Sequence, residues 1–217
     1  MIRLHKGPEP QVLIDNAAAW EQVLRDHESN NTEPTKTELN RYGHPEIKTA
    51  LMRETHEKCA YCESIFRHVY PGDVEHIIPK RNGIEYRFQW SNLTIACSTC
   101  NTNKGVKEGL VDPYVDDPEG AFQIAGPAML AEPTDGKAHA TEVALQLNRS
   151  ALVERRAKRL SGLHLMLRVA LQQTDQNYRQ ILFDELRREA AESAEFAAMS
   201  RWYVNDLIQK GILPPSN

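Results

Sequence analysis

The sequence predicts an α+β protein, and three observations lead to this class. Apolar residues recur at helical spacing near both ends of the chain. The stretch at 59–105 instead has short β-prone runs and is dense in Cys, His, Asn and Gly. Four cysteines stand in this stretch as two close pairs. Together these features indicate a small mixed module that is flanked by helices on both sides.

Composition divides the 217 residues into four regions. We predict an N-terminal helical extension at 1–58, the mixed module at 59–110, a Pro- and Gly-rich connector at 111–147 and a C-terminal helical region at 148–217. The chain is 41% hydrophobic and 26% charged, as is usual for a globular protein. Its length suits one large domain, or a small domain with substantial extensions.

Two helices are expected in the N-terminal extension. The first covers 15–28, with Asp15 as its N-cap, and a polar loop follows it. The second begins at Pro45, since proline favours the first helical position, and continues to about Glu57. Its inward residues are expected to be Ile47, Leu51 and Met52. We expect both helices to support the module by packing.

Beyond the module, the pattern predicts a hairpin and then three helices. In the connector, "AFQIA" and "KAHATEV" could pair around "EPTDG". The apolar stripe of the first helix comprises Leu152, Leu160, Leu163 and Leu167. The second helix starts at Thr174 or Asp175, and its stripe comprises Tyr178, Ile181, Leu182 and Leu186. The stripe of the third comprises Phe196, Met199, Tyr203 and Leu207. The basic run at 154–159 is either a solvated helix face or a contact for phosphate or an acidic partner.

Charge and hydropathy restrict the setting in which the protein acts. The net charge is −4, whereas a free-standing nucleic-acid binder is usually basic over its contact face. Positive charge for such a role would therefore be local or supplied by a partner. The first residues lack the apolar core of a secretory signal, and no run approaches the length of a membrane span. We therefore expect a cytoplasmic protein.

The cysteines have the spacing of metal ligands. Cys59 with Cys62, and Cys97 with Cys100, form two C-x-x-C pairs that are separated by 34 residues. Two such pairs can close a tetrahedral site of four sulfurs, which suits Zn²⁺. Disulfides fit a reducing compartment poorly, and free thiols would not explain the paired spacing. We therefore predict structural zinc, because four thiolates leave no open position for a reacting water.

Three polar motifs lie between and beside the cysteines. They are Glu75-His76 in "VEHIIPK", Asn92 in "WSNL", and Asn101 with Lys104 in "CNTNKG". A single His in an apolar run is more often a packed core residue, but the motifs that surround His76 favour a catalytic role. In order and approximate spacing, residues 59–105 resemble the HNH endonucleases, also called ββα-metal nucleases.

The resemblance implies a compact strand–loop–strand–helix arrangement. It places strands at 73–78 and 93–96, a loop at 81–89 between them, and a short helix that begins near Ser98. The interval 53–107 holds eight Lys and Arg against six Asp and Glu, a net charge of +2. That local charge is sufficient for docking a phosphate backbone but not for tight nonspecific binding.

The resemblance also implies roles for individual residues. His76 would be the general base, because a neutral imidazole can accept a proton from water. Asn101 and Glu75 would bind a catalytic Mg²⁺ or Mn²⁺, although Glu75 stands where the family commonly has the shorter Asp. Asn92 would brace the loop that orients the base. Lys104, and with it Lys80, would contact phosphate.

Motifs outside the module, among them "VDPY" and "LNRSALVERR", resemble the PtuB family of nuclease subunits from Septu anti-phage systems and related retron-associated effectors. That resemblance implies a PtuA-like ATPase subunit as partner. The chain has no G-x-x-x-x-G-K-[ST] motif, so ATPase activity would lie elsewhere. The C-terminal helices could dock a partner, form a homodimer or simply pack. Three functions remain open: a DNA endonuclease, an RNA (tRNA) endonuclease and a non-enzymatic zinc-knuckle adaptor.

Overall fold

The computed structural model describes residues 1–215; Ser216 and Asn217, which end the predicted C-terminal region, lie outside it. Two small antiparallel sheets are embedded among helices, which confirms the α+β prediction. In chain order the elements are α1 (Gln11–Ser29), α2 (Lys36–Leu39), α3 (Pro45–Glu54), β1 (Asp73–His76), α4 (Glu85–Phe88), β2 (Leu93–Ala96), α5 (Ser98–Lys104), α6 (Pro118–Ala121), β3 (Phe122–Ala125), β4 (Ala128–Ala131), α7 (Gly136–Leu145), α8 (Ser150–Gln172), α9 (Gln176–Arg188) and α10 (Ala197–Gln209).

The two N-terminal helices form where they were predicted, with different ends. Helix α1 begins four residues before Asp15, because the carbonyl of Pro10 already accepts the first helical N–H groups. Helix α3 begins at Pro45 as predicted but ends three residues before Glu57. There His56 and Glu57 adopt left-handed backbone, with φ of 51° and 60°, which a helix cannot continue through. The three predicted inward residues of α3 are buried.

The mixed module has the predicted strand–strand–helix order. Strands β1 and β2 pair antiparallel, with Asp73 opposite Ala96 and His76 opposite Leu93. Strand β1 is two residues shorter than predicted, whereas β2 has its predicted bounds. All four residues of β2 are buried, so this strand forms the floor of the module. Helix α5 begins at Ser98, as predicted, and lies against β1.

The predicted connector hairpin has the wrong second strand. Strand β3 covers most of "AFQIA" but pairs with β4, which follows after only two residues. Gly126, at the first of those two positions, has a φ of 60°, as a tight hairpin turn requires. The segment "KAHATEV" is helical in α7, where the side chain of Asp135 caps the first turn. Local turn and capping chemistry therefore override the pairing that alternation suggested.

The three C-terminal helices are present, and one predicted face is wrong. The side chain of Asp175 caps α9 as expected, but Tyr178 and Ile181 of that helix are 63% and 60% exposed. The predicted Leu186 is buried and Leu182 packs against the core, and α9 also buries Phe183, which was not predicted. The predicted stripe of α10 is buried as a whole, and Gly211, with φ of 68°, follows its end.

Two main hydrophobic clusters hold the described residues together, and a small third one joins Ile2, Leu4 and Ala60 to the start of α10. The larger main cluster contains the four cysteines and draws on α1, α3, β2, α7 and the starts of α8 and α10. The smaller one joins the second half of α8 to α9 and α10. Among residues 1–215, none of the helices combines the length and the apolar character needed to cross a bilayer.

Candidate active site and metal centre

The four cysteines meet at one buried point. Cys59 and Cys62 lie in a turn between α3 and β1, which Glu63 closes by donating its N–H to the Cys59 carbonyl at 2.9 Å. Cys97 directly precedes α5, and Cys100 lies in its first turn. The four Sγ atoms all lie within 4.8 Å of one another. The two sequence pairs therefore form one cluster of possible metal ligands.

The chemistry of this cluster fits a metal better than it fits disulfides. All four cysteines are free, and Cys62 Sγ lies 3.9 Å from Cys97 Sγ. Burial raises the pKa of the Cys59 thiol, so thiolates at this point need a compensating cation. Four sulfur donors form the closed tetrahedral set that Zn²⁺ prefers. One cation is already near, because both terminal nitrogens of Arg149 lie 3.8 Å from Cys100 Sγ.

His76 is fixed in orientation and charge at the end of β1. Its Nε2 lies 3.0 Å from the carbonyl oxygen of Arg87. A carbonyl can only accept, so Nε2 carries the proton and Nδ1 keeps the lone pair. The Tyr42 ring packs edge-on against the imidazole at 4.6 Å between centroids. Burial lowers the pKa of His76 to about 4, and the neutral ring is therefore a proton acceptor near pH 7.

Asn92 ties together the backbone on both sides of His76. Its Oδ1 accepts from the N–H of Ile78 at 2.7 Å, and its Nδ2 donates to the Ile78 carbonyl at 2.9 Å. The same Nδ2 donates to the Tyr86 carbonyl at 2.8 Å. Tyr86 precedes Arg87, whose carbonyl holds the imidazole. Asn92 thus joins the segment that carries His76 to the segment that orients its ring.

Asn101 and Asp73 form a polar pair beside this base. The Nδ2 of Asn101 donates to Asp73 Oδ2 at 2.8 Å, which leaves the amide oxygen as the potential metal ligand. The other oxygen of Asp73 accepts a hydrogen bond from Tyr70. Sequence reasoning missed Asp73. Strand alternation could have found it, because Asp73 and Glu75 are two residues apart and lie on the same face of β1.

Glu75 and Lys104 form a buried ion pair. Glu75 Oε1 lies 2.8 Å from Lys104 Nζ, and the two residues are 6% and 2% exposed. Lys104 also donates to the carbonyl of His76 at 2.7 Å. Burial raises the pKa of Glu75, while the ammonium of Lys104 opposes that rise. Lys104 therefore faces the interior, and not outward as its predicted phosphate contact requires.

One cleft collects most of the remaining predicted groups. Lys80 lies at its edge, donating from Nζ to the Tyr42 hydroxyl and lying 4.6 Å from the centroid of that ring. The cleft has a volume of about 430 Å³. Its lining includes the acids Asp73 and Glu75, the base His76, the amide of Asn101, and the cations Lys48, Lys80 and Arg81. Neither Lys104 nor Asn92 lines this cleft, and Asn92 contacts the backbone segments around His76.

The cleft combines three chemical capacities. A neutral imidazole can take a proton from water. Carboxylate and amide oxygens can hold a hard divalent cation that keeps several of its own waters. Lysine and arginine side chains at the edge can attract an anionic substrate. These capacities together suit metal-assisted hydrolysis of an anionic ester.

Comparison with known proteins agrees with this geometry. Residues 59–107 match the family model described as HNH endonuclease. Septu protein PtuB from Bacillus thuringiensis is 29% identical over 142 residues, which are 63% of this chain and 51% of that protein. Septu protein PtuB from Bacillus mycoides (strain KBAB4) is 24% identical over 196 residues, covering 73% of this chain and 66% of that protein. The chain thus spans between about half and two thirds of the length of these curated relatives.

Residues 59–107 therefore resemble an HNH endonuclease domain, and most of the chain resembles PtuB. The match covers every cysteine of the cluster as well as Asp73, Glu75, His76 and Asn101. It excludes α1, α3 and everything after Lys107. What those flanking elements contribute has to be inferred from their own contacts.

Proposed function

We propose that this chain is a metal-dependent endonuclease that hydrolyses phosphodiester bonds, with DNA as its substrate, in an anti-phage defence complex. One observation carries the proposal. The imidazole of His76, with its lone pair on Nδ1, lines the same cleft as the oxygen ligands of Asp73, Glu75 and Asn101. That arrangement supplies a base and a cation site for one reaction.

In this proposal each residue of the cleft has a distinct part. His76 accepts the proton of the attacking water at Nδ1, while the Arg87 carbonyl keeps the proton on Nε2. Asn92 holds the two backbone segments that set this geometry. Asn101, with Asp73 and Glu75, offers the oxygens for Mg²⁺ or Mn²⁺. Bound there, the cation would neutralise charge on the phosphate and the leaving oxygen.

The cysteine cluster has a structural part in the same proposal. Zn²⁺ held by Cys59, Cys62, Cys97 and Cys100 would join the turn before β1 to the start of α5. Asn101 directly follows the last of these ligands, so the clamp also positions a catalytic group. Reduced thiolates of this kind suit the cytoplasm, which we propose as the location.

A plasmid cleavage assay tests the base assignment. We expect the purified chain, alone or with its partner, to nick plasmid DNA when Mg²⁺ or Mn²⁺ is added. His76→Ala should abolish nicking while zinc content and thermal unfolding stay near wild type. His139→Ala is the matched control, because His139 is an exposed histidine on α7, outside the cleft. Equal nicking by the His76→Ala and wild-type proteins would contradict the proposal.

The same assay separates DNA from RNA as substrate. The cleft acts on a phosphodiester of either backbone, so plasmid and total RNA should be offered together. Loss of tRNA with intact DNA would make the protein an RNA endonuclease. Phage protection that survives both His76→Ala and Asn101→Ala would instead favour a non-enzymatic adaptor.

The partner in this proposal is a PtuA-like ATPase. Its support is the resemblance to two proteins named Septu protein PtuB and the lack of a P-loop motif in this chain. Co-expression with a PtuA-like ATPase and pull-down should recover both chains. Light scattering of the isolated chain would separate a homodimer from a monomer. Failure of the two chains to co-purify would count against the partnership.

A further inference from the structure

Cationic side chains continue beyond the cleft onto α3, outside the HNH domain. A second cavity of about 620 Å³ lies along this helix and is lined by Lys48, Thr49, Met52 and Arg53. Lys48 lines both cavities. We call this second cavity the α3 groove. The groove and the cleft therefore adjoin at a positively charged side chain.

Four cations of this surface are not used in ion pairs. Within residues 1–215, the ion pairs do not involve Lys48, Arg53, Lys80 or Arg81. The single acidic side chain among the groove residues, Glu57, is paired with Arg67. In a chain with an overall charge of −4, the α3 groove is thus locally positive, with Lys48 and Arg53 in no ion pair of the described residues.

We propose that a nucleic-acid strand leaves the cleft along the α3 groove, where Lys48 and Arg53 bind its phosphates. The inference rests on the proposed nuclease function and extends it to the N-terminal helical extension. Unpaired cations that line connected cavities attract a polyanion and release its counterions on binding. Because these contacts would be to phosphates and not to base edges, they position the strand without reading its sequence.

Binding measurements on the zinc-loaded full chain test this inference. The His76→Ala background prevents cleavage, and fluorescence anisotropy follows short labelled single-stranded DNA, single-stranded RNA and duplex DNA at several salt concentrations. The test variant is Lys48→Gln with Arg53→Gln. We expect its Kd to rise by about tenfold, and the slope of log K against log salt to fall by about 1.5, or about 0.7 to 0.9 for each lost phosphate contact.

The matched control is Lys36→Gln with Arg168→Gln. Both residues are exposed cations, on α2 and α8, and neither takes part in an ion pair of the described residues or lines either cavity. The control should bind like its parent, and thermal melts should show both double variants folded. An unchanged affinity and salt slope in the Lys48/Arg53 variant would overturn the proposal, as would an absence of nucleic-acid binding by the parent.

Cleavage by proteins with His76 intact distinguishes this inference from the nuclease proposal. If the Lys48/Arg53 variant cleaves and binds as wild type does, strand binding in the α3 groove is refuted and the nuclease proposal is unaffected. If wild type binds through the α3 groove but cleaves nothing, the nuclease proposal is refuted and strand binding in the groove is supported. A variant that loses only its partner protein would mark the groove as a protein-docking surface and overturn the proposal.

Discussion

At the scale of single residues, the position of His76 depends on a buried amide. Asn92 satisfies three backbone groups, the N–H and carbonyl of Ile78 and the carbonyl of Tyr86. Asn92→Ala would leave these groups without partners in the interior. We expect a loss of about 2–4 kcal/mol in the free energy of unfolding, measured with urea, and much slower cleavage.

Asn92→Asp tests whether the hydrogen bonds of Asn92, and not only its side-chain volume, stabilise this site. Aspartate matches asparagine in shape and keeps the acceptor for the Ile78 N–H, but it replaces two donated hydrogen bonds by a carboxylate facing two carbonyls. We therefore expect Asp to be no more stable than Ala at this position. Near wild-type stability in the Asp variant would show that Asn92 is not the brace described above.

A substitution of Lys104 tests whether this residue forms a buried ion pair or contacts phosphate at the surface. Because Lys104 is paired with Glu75 in the interior, Lys104→Met would leave a buried carboxylate without its partner. We expect the free energy of unfolding to fall by about 3–5 kcal/mol. The double variant Glu75→Gln with Lys104→Met should recover at least half of that loss. A Lys104→Met protein of wild-type stability, with weakened nucleic-acid binding, would instead favour the phosphate contact that the sequence predicted.

A comparison of the predicted site residues with their positions in the structure shows which part of the site a sequence can specify. Residue type, order and spacing together predict His76, Asn92 and Asn101 as candidate site residues. They do not predict that Lys104 pairs with Glu75 in the interior, or that Asp73 lines the cleft, because both features depend on tertiary distance. Whether a lysine faces solvent or a buried glutamate is decided by packing that no spacing rule records.

At the scale of elements, strong local signals predicted the fold and weak ones failed. Strand β2 and the start of α5 follow from a short β-prone run and a C-x-x-C turn. The predicted partner strand of β3 was wrong, because the two-residue Gly-Pro segment was not recognised as a hairpin turn. The predicted buried stripe of α9 was wrong at Tyr178 and Ile181, because the packing of α8 and α10, and not periodicity alone, selects which face is buried.

The link between α8 and the cysteine cluster gives a prediction at this scale. Arg149, the residue before α8, directs its guanidinium at Cys100 Sγ. Four thiolates around Zn²⁺ carry a net charge of −2, and outer partners of this kind raise metal affinity. We expect Arg149→Gln to release zinc at least about tenfold faster to a colorimetric chelator.

Arg155→Gln is the control for that experiment. Arg155 lies one and a half turns further along α8 and pairs at the surface with Glu195, so zinc release should match wild type. Arg149→Lys should give an intermediate rate, because a point charge replaces a two-nitrogen contact. Identical release from all four proteins would show that Arg149 contributes to packing alone.

At the scale of the whole molecule, the two hydrophobic clusters differ in their dependence on metal. The larger cluster contains all four cysteines, together with side chains from the N-terminal helices. The smaller cluster is built only from α8, α9, α10 and the residues just after them. The predicted division into four regions stays a prediction, but these clusters define two units, joined along α10, that could lose structure separately.

Removal of zinc should therefore unfold one cluster before the other. Four buried cysteines without a cation would leave charged or unsatisfied sulfurs in the larger cluster, and structural zinc supplies folding free energy directly. After mild chelation, hydrogen exchange measured by mass spectrometry should show lost protection from α3 to α5. Amides around Leu167, Leu186 and Leu207 should stay protected, because their contacts lie within the smaller cluster. Readdition of Zn²⁺ should restore protection in the first region. Simultaneous loss in both clusters would mean that the chain folds as one cooperative unit whose stability depends throughout on the cysteine site.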